Sequence, residues 1–132
     1  MTRENVEIVS KGFAALNAGG AEALVPFFCP DVVMHSIAEW PEDSVYRGHD
    51  GLRKLVDSWN ESFDEWAFEV QQIRDAGPSV VALAELTGDI KGSQVPVRLP
   101  IGAVFSDFRH GAAGEVRFFI AWAQALEAAG LG

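Results

Sequence analysis

Two long strands and the turn between them are encoded in residues 66–90, WAFEVQQIRDAGPSVVALAELTGDI. In the first half, Trp66, Phe68 and Val70 take every second position, which is the period of a strand with one buried face. DAGP, at 75–78, supplies the glycine and proline of a turn, and SVVALAELTGDI then continues as a second strand. This stretch therefore predicts a β-hairpin whose two strands each turn one side toward a core.

Three helices and one strand are predicted upstream of this hairpin. The first helix spans residues 2–18, and a shorter second helix spans roughly 21–28. A strand at 31–38 separates them from a third helix that begins near His49 or Asp50. The apolar stripe of the third helix comprises Leu52, Leu55, Val56, Trp59 and Phe63.

Two further strands, at 97–108 and 115–123, are predicted downstream of the hairpin. The last strand is apolar on both faces, with Phe118 on one side and Phe119 on the other, so both faces need cover. We expect one face to pack on the helices and the other on a second subunit, which predicts a homodimer through the outer face of the sheet. The whole order predicts a single α+β domain over 1–132, with three N-terminal helices packed on an antiparallel sheet.

The composition excludes several classes of function. A formal net charge of −9 disfavours nucleic acid and anionic membranes, because binding either of them depends on clustered Lys and Arg. The sequence has neither a long apolar run nor a signal peptide, so we expect a cytoplasmic protein that binds no membrane. Cys29 is the single cysteine, and the three histidines have no fixed spacing, so we expect neither a metal nor a cofactor.

Three segments together resemble a known superfamily: AALNAGGAEALVPFFCPDVVMH, YRGHDGLRKLVDSW and GEVRFF. The sequence is similar over nearly its whole length to the nuclear transport factor 2-like superfamily, most closely to its SnoaL-like branch. The resemblance implies a cone, in which three helices wrap against a strongly curved antiparallel sheet around a deep apolar cavity. It also implies dimers that form through the outer face of the sheet.

Known enzymes of this fold, such as ketosteroid isomerase, limonene epoxide hydrolase and the polyketide cyclases, use carboxylates or a tyrosine inside the cone. The positions that match the three functional residues of the isomerase hold Gly12, Ser36 and the uncharged segment 100–104. The epoxide hydrolase requires two aspartates around an arginine, but no aspartate flanks Arg98. The final strand offers only Glu115, at its turn end, so none of these activities carries over by matching residues.

His35 is the candidate catalytic residue, because it lies near the inner end of the first strand and a histidine titrates near neutrality. Strand alternation opposes this role: if Met34 and Ser36 point into the cavity, His35 points out unless a bulge intervenes. A hydrogen-bonded structural histidine is the alternative. Trp40 and Tyr46 would form either the rim of the cavity mouth or a plug that closes it. The predicted pocket comprises Met34, Ser36, Trp40, Tyr46, Trp59, Phe63, Phe105, Phe119 and Trp122.

Three functions remain open at the level of sequence. The first is the binding of a small hydrophobic or aromatic molecule in an apolar pocket. The second is an isomerase, hydrolase or polyketide-cyclase-like enzyme that works on such a ligand by acid/base chemistry. The third is a non-catalytic dimeric interaction module. An inward carboxylate or histidine with a partner would favour the enzyme, and a cavity filled by its own aromatic side chains would favour the interaction module.

Overall fold

The structure is a computed structural model that describes residues 2–37 and 45–131. The helices are α1 (Thr2–Leu24), α2 (Gly48–Ser62) and α3 (Trp122–Ala128). The strands are β1 (Phe28–His35), β2 (Val45–Arg47), β3 (Phe63–Asp75), β4 (Val80–Ile90), β5 (Pro96–Ser106) and β6 (Ala113–Phe119). Within these ranges, no helix combines the length and the apolar character needed to cross a membrane.

The six strands form one open sheet in the order β2-β1-β6-β5-β4-β3. The hairpin predicted for residues 66–90 is β3–β4, in which Val70 pairs with Ala84. All neighbouring strands are antiparallel except β1 and β6, which are parallel. The sheet is therefore mixed rather than wholly antiparallel, because the first strand pairs antiparallel with β2 on one side and parallel with the last strand on the other.

The first helix bends at Gly20, whose backbone has φ 72° and ψ −154°. This conformation is readily adopted only by glycine, and it explains why the sequence predicts a helix end here. The separate second helix predicted for 21–28 is much shorter in the structure. Residues 21–24 complete α1, and Val25–Phe27 form a 3₁₀ turn that leads directly into β1.

The helix α2, which was predicted as the third helix, begins at Gly48, where φ is 69°. Its apolar residues Leu52, Leu55, Val56 and Trp59 are buried as predicted. Asp50 makes no capping bond and instead accepts a hydrogen bond from Arg53 Nη1 at 2.9 Å. Phe63 is not the last residue of this helix but the first residue of β3, where it is buried. The helical stripe and the strand pattern meet at this residue, so either assignment fits the local sequence.

The sheet has two differently covered faces. On the inner face, α1 and α2 pack over the alternating residues Ala82, Ala84 and Leu86 of β4 and form the main core. On the outer face, α3 packs over Val81 and Leu83 in a second, smaller core. The helix α3 was not predicted, because residues 115–123 were assigned to one continuous strand. It therefore supplies part of the outer cover that was expected from a second subunit.

Candidate ligand-binding site

A cavity lies between α1, α2 and the inner face of the sheet. It is partly open to solvent. The helices supply about half of its wall, because the side of each helix that faces the core also faces the cavity. Its lining consists of Ile8, Val9, Gly12, Phe13, Leu16, Leu24, Phe27, Phe28, Met34, Leu52, Leu55, Trp59, Phe68, Phe105, Ala113, Val116 and Phe118.

Aromatic rings in mutual contact form much of this wall. Phe13 on α1 meets Phe68 on β3 and Phe105 on β5, with ring centroids 5.6 and 5.9 Å apart. Trp59 on α2 meets Phe68 at 5.3 Å and Phe118 at 5.9 Å, both nearly edge to face. Such tilted contacts are the preferred geometry of aromatic pairs, so they hold the rings in fixed orientations around the open space.

The lining carries almost no polar chemistry. Among the described residues that border the cavity, none has a titratable side chain, and the one side-chain nitrogen or oxygen is Trp59 Nε1. A general base, a nucleophile or a metal ligand is thus missing from this part of the wall. Over the ranges that the structure covers, no cluster of His, Cys, Asp or Glu is suited to hold a metal ion.

A second, smaller cavity adjoins the first. It is also partly open to solvent. Leu55, Trp59, Phe68 and Phe118 line both cavities and form the wall that they share. The second cavity is completed by Ser36, Ile37, Leu86 and Ile101. Ser36 adds a hydroxyl group, so the two lining side chains that carry a nitrogen or oxygen, Trp59 and Ser36, both border the smaller cavity.

The predicted pocket residues divide into several groups. Met34, Trp59 and Phe105 line the main cavity, and Ser36 lines the second. Phe63 is buried in the same core but is not among the lining residues of either cavity.

Two aromatic residues were predicted at the cavity mouth. Tyr46, on β2, pairs with Met34 and packs half-buried against the main core. Trp40 lies outside the described residues.

Phe119 and Trp122, the other two predicted pocket residues, lie on the opposite face of the sheet. Both pack in the small core under α3, and the Trp122 indole donates a hydrogen bond to the Ala84 carbonyl at 2.9 Å. Phe118 lines the cavity instead. Side chains on both faces of this strand are apolar, so their alternation does not indicate which face lines the cavity.

His35 also lies on the outer face of the sheet. Met34, its neighbour, is fully buried on the inner side, so the alternation of β1 directs His35 away from the cavity. The His35 Nε2 atom lies 2.8 Å from Glu115 Oε2, and the Ser106 hydroxyl donates to the other Glu115 oxygen at 3.4 Å. This contact matches the structural alternative for His35, and the placement gives no support to acid/base chemistry by His35 inside the cavity.

The charged groups pair on the exterior. Arg109 donates to Asp31 at 2.8 Å and to Asp107 at 3.1 Å, and its guanidinium holds the pKa of Asp31 below the usual range through this hydrogen bond. Arg98 bonds to Glu85 at 2.7 Å, as expected for a solvated face of β4. These exposed pairs contribute little to stability, because water screens them. They also leave the interior to apolar side chains.

One polar contact near the cavity was missed in the sequence. Asn17, on α1, bonds to both backbone groups of Phe68: its amide nitrogen donates to the carbonyl oxygen at 2.8 Å, and its oxygen accepts from the N–H at 2.9 Å. The side chain thereby pairs with the free edge of β3 as a neighbouring strand would. Nothing in the pattern NAGG distinguishes this role from that of an ordinary residue near a helix end.

An α+β fold with helices over a mixed sheet and an apolar cavity between the layers is the architecture of nuclear transport factor 2-like proteins. The sequence model of the SnoaL-like domain matches residues 9–125, and the chain belongs to this family. No curated protein is similar enough to the chain to count as a match.

Solved structures share the fold at low sequence identity. A nuclear transport factor 2-like protein from Burkholderia xenovorans is 23% identical over 98% of both chains, with a TM-score of 0.74. A putative SnoaL-like polyketide cyclase from Jannaschia is 20% identical over 99% of this chain and 94% of that one, with a TM-score of 0.77. TerC, co-crystallised with polyporic acid, is 14% identical over 96% and 98% of the two chains, with a TM-score of 0.76. These likenesses establish the fold.

Proposed function

We propose that this protein binds a small hydrophobic or aromatic molecule in the cavity between α1, α2 and the inner face of the sheet. The observation that carries the proposal is the lining of the cavity, which is apolar and aromatic throughout the described residues except for one indole N–H. A concave apolar site with few polar groups is the usual form of a small-molecule pocket. The structural neighbour TerC, co-crystallised with polyporic acid, is consistent with ligand binding on this fold.

The lining favours binding over acid/base catalysis. An isomerase, hydrolase or cyclase needs a group that moves a proton within hydrogen-bond reach of the ligand. In the part of the chain that the structure describes, the histidine considered for this role lies on the outer face beside Glu115. The lining also argues against a vestigial cavity, because its own aromatic rings leave open space between them.

The proposal is tested at Gly12, which borders the cavity from α1. A β-carbon at this position would lie 3.6 Å from Leu24 Cδ1 and 3.7 Å from Phe27 Cβ, which are ordinary contacts. Gly12→Ala should therefore fold, keep the ligand site and gain about 0.4–1 kcal/mol of stability in the helix. Gly12→Leu should place a branched side chain into the cavity and weaken ligand binding at least about tenfold, the loss expected when roughly 1.4 kcal/mol of apolar contact is displaced.

Binding of indane, a small apolar ring compound, would be measured by isothermal titration calorimetry on the wild type and both variants. Circular dichroism would confirm that each variant is folded. His35→Ala serves as the control on the opposite face and should bind like the wild type. The proposal fails if folded Gly12→Leu binds indane as tightly as Gly12→Ala does.

We also propose a homodimer that forms through the part of the outer face that α3 leaves open. On this part, Val33 is only partly buried, and Val45, in the neighbouring strand, is 36% exposed. Apolar side chains beside the His35–Glu115 pair would give a partner both contact area and a polar anchor. The proposed interface covers less than the whole outer face of the sheet, because α3 already covers the region around Leu83.

A further inference from the structure

Trp59 and Ser36 are the two side chains that bring hydrogen-bonding atoms to the paired cavities. Only 8% of the surface of Trp59 is exposed, and this residue borders both cavities. Among the described residues, neither the indole N–H of Trp59 nor the hydroxyl of Ser36 makes a hydrogen bond. The two other indole groups in the described part of the chain differ: that of Trp66 donates to Asn60 at 2.7 Å, and that of Trp122 donates to Ala84.

The missing partner of Trp59 indicates that its nitrogen faces open space. In the described part of the chain, every side-chain nitrogen or oxygen that is sealed from solvent has a hydrogen-bond partner. The indole nitrogen of Trp59 has none, so a molecule the size of water can reach it. The open space that this mostly buried side chain borders is that of the two cavities. When a ligand displaces water from such a place, no protein acceptor takes over the indole N–H, and an acceptor on the ligand would compensate this loss.

We infer that Trp59 and Ser36 select a neutral ligand with an apolar ring system and one acceptor oxygen, such as a ketone. The ring system would occupy the main cavity, and the oxygen would accept hydrogen bonds from the Trp59 N–H and the Ser36 hydroxyl at the wall shared with the second cavity. The ligand is neutral because no cationic side chain is among the described residues that line either cavity. A buried carboxylate without such a partner would be strongly disfavoured. This inference rests on the proposed function and names the polar determinant of the same site.

The test compares three ligands of similar shape: indane, indanone and indane carboxylate. Titration of ¹⁵N-labelled protein should shift the indole N–H signal of Trp59 with indanone much more than with indane, and Trp59→Phe identifies that signal by its disappearance. Trp59→Phe should weaken indanone binding about three- to tenfold relative to indane, as expected for the loss of one hydrogen bond. Ser36→Ala should lower the same ratio, and the carboxylate should bind at least about tenfold more weakly than the ketone.

Trp122→Phe is the matched control, because it removes an indole from the opposite face and should leave the indanone-to-indane ratio unchanged. If indane and indanone both bind the wild type and the ratio is the same in Trp59→Phe and Ser36→Ala, the inference is wrong while the proposed function stands. Tighter binding of the carboxylate than of the ketone would also overturn it. If none of the three ligands binds the wild type, the proposed function fails and this inference fails with it.

Discussion

The contact between Asn17 and Phe68 makes a quantitative test of how α1 is fixed to the sheet. The Asn17 amide makes two hydrogen bonds to the backbone of an edge strand, at 2.8 and 2.9 Å. Each neutral hydrogen bond contributes about 0.5–1.5 kcal/mol net, so the pair amounts to about 1–3 kcal/mol. Replacement by alanine improves the helix propensity by about 0.6 kcal/mol, which offsets part of this loss.

Asn17→Ala should therefore lower the free energy of unfolding by about 1 kcal/mol. We take the low end of the range for the two hydrogen bonds, because water can reach the exposed Asn17 side chain. Asn17→Asp keeps an acceptor for the Phe68 N–H but places a carboxylate against the Phe68 carbonyl, so it should be at least as destabilising. Asn60→Ala is the control, since Asn60 is also an exposed helical asparagine but bonds only to the half-buried Trp66 indole. Its effect should lie within about 0.5 kcal/mol of zero.

Urea unfolding at equilibrium gives these free energies, and the slopes should agree among the variants if the transition remains two-state. Amide hydrogen exchange at Phe68 provides a local measure, because loss of the Asn17 oxygen removes the acceptor of this N–H. We expect faster exchange at Phe68 in Asn17→Ala and unchanged exchange in Asn60→Ala. Equal stability of Asn17→Ala and Asn60→Ala, together with unchanged exchange at Phe68, would refute the role of this contact.

Two further predictions concern the outer face of the sheet. Gly102→Ala should lower the free energy of unfolding by about 1–3 kcal/mol, because the added β-carbon would overlap with that of Ala125 and push α3 from the sheet. Urea unfolding measures this loss, and a neutral substitution would show that α3 is loosely held. Val33→Lys should convert the proposed dimer to monomers in analytical ultracentrifugation, whereas Val95→Lys, at an exposed site near the β4–β5 turn, should not. An unchanged mass for Val33→Lys would contradict the interface.

The hairpin and the two long helices could be predicted from sequence because each has one polar and one apolar side. In β4, Ala84 and Leu86 alternate with Glu85 and Thr87. The structure buries Ala84 and Leu86 on the inner face, whereas Glu85 lies on the outer face and bonds to Arg98. A one-residue shift of this strand would bury Glu85. The pattern therefore specifies both the element and its orientation, which explains why the fold class was predicted correctly.

The last part of the chain lacks that contrast. From Val116 to Leu126 most residues are apolar, and a short apolar run is compatible with a strand or with a buried helix. The structure uses both: β6 ends at Phe119, and α3 begins at Trp122 and folds back over Gly102. Apolar side chains lie on both faces of β6, Phe118 at the cavity and Phe119 under α3, so alternation could not decide which of the two lines the site.

The first strand shows how one residue step decides the chemistry of the site. Because Met34 is buried on the inner face, the imidazole of His35 is directed to the exterior, where Glu115 binds it, while Ser36 returns to the cavity side. The interior thus receives a neutral hydroxyl in place of an imidazole. An unfilled apolar space lowers stability, since its lining side chains lack contacts on one side. A ligand with a ring system and an acceptor oxygen would supply both the missing contacts and the missing partner of the Trp59 indole.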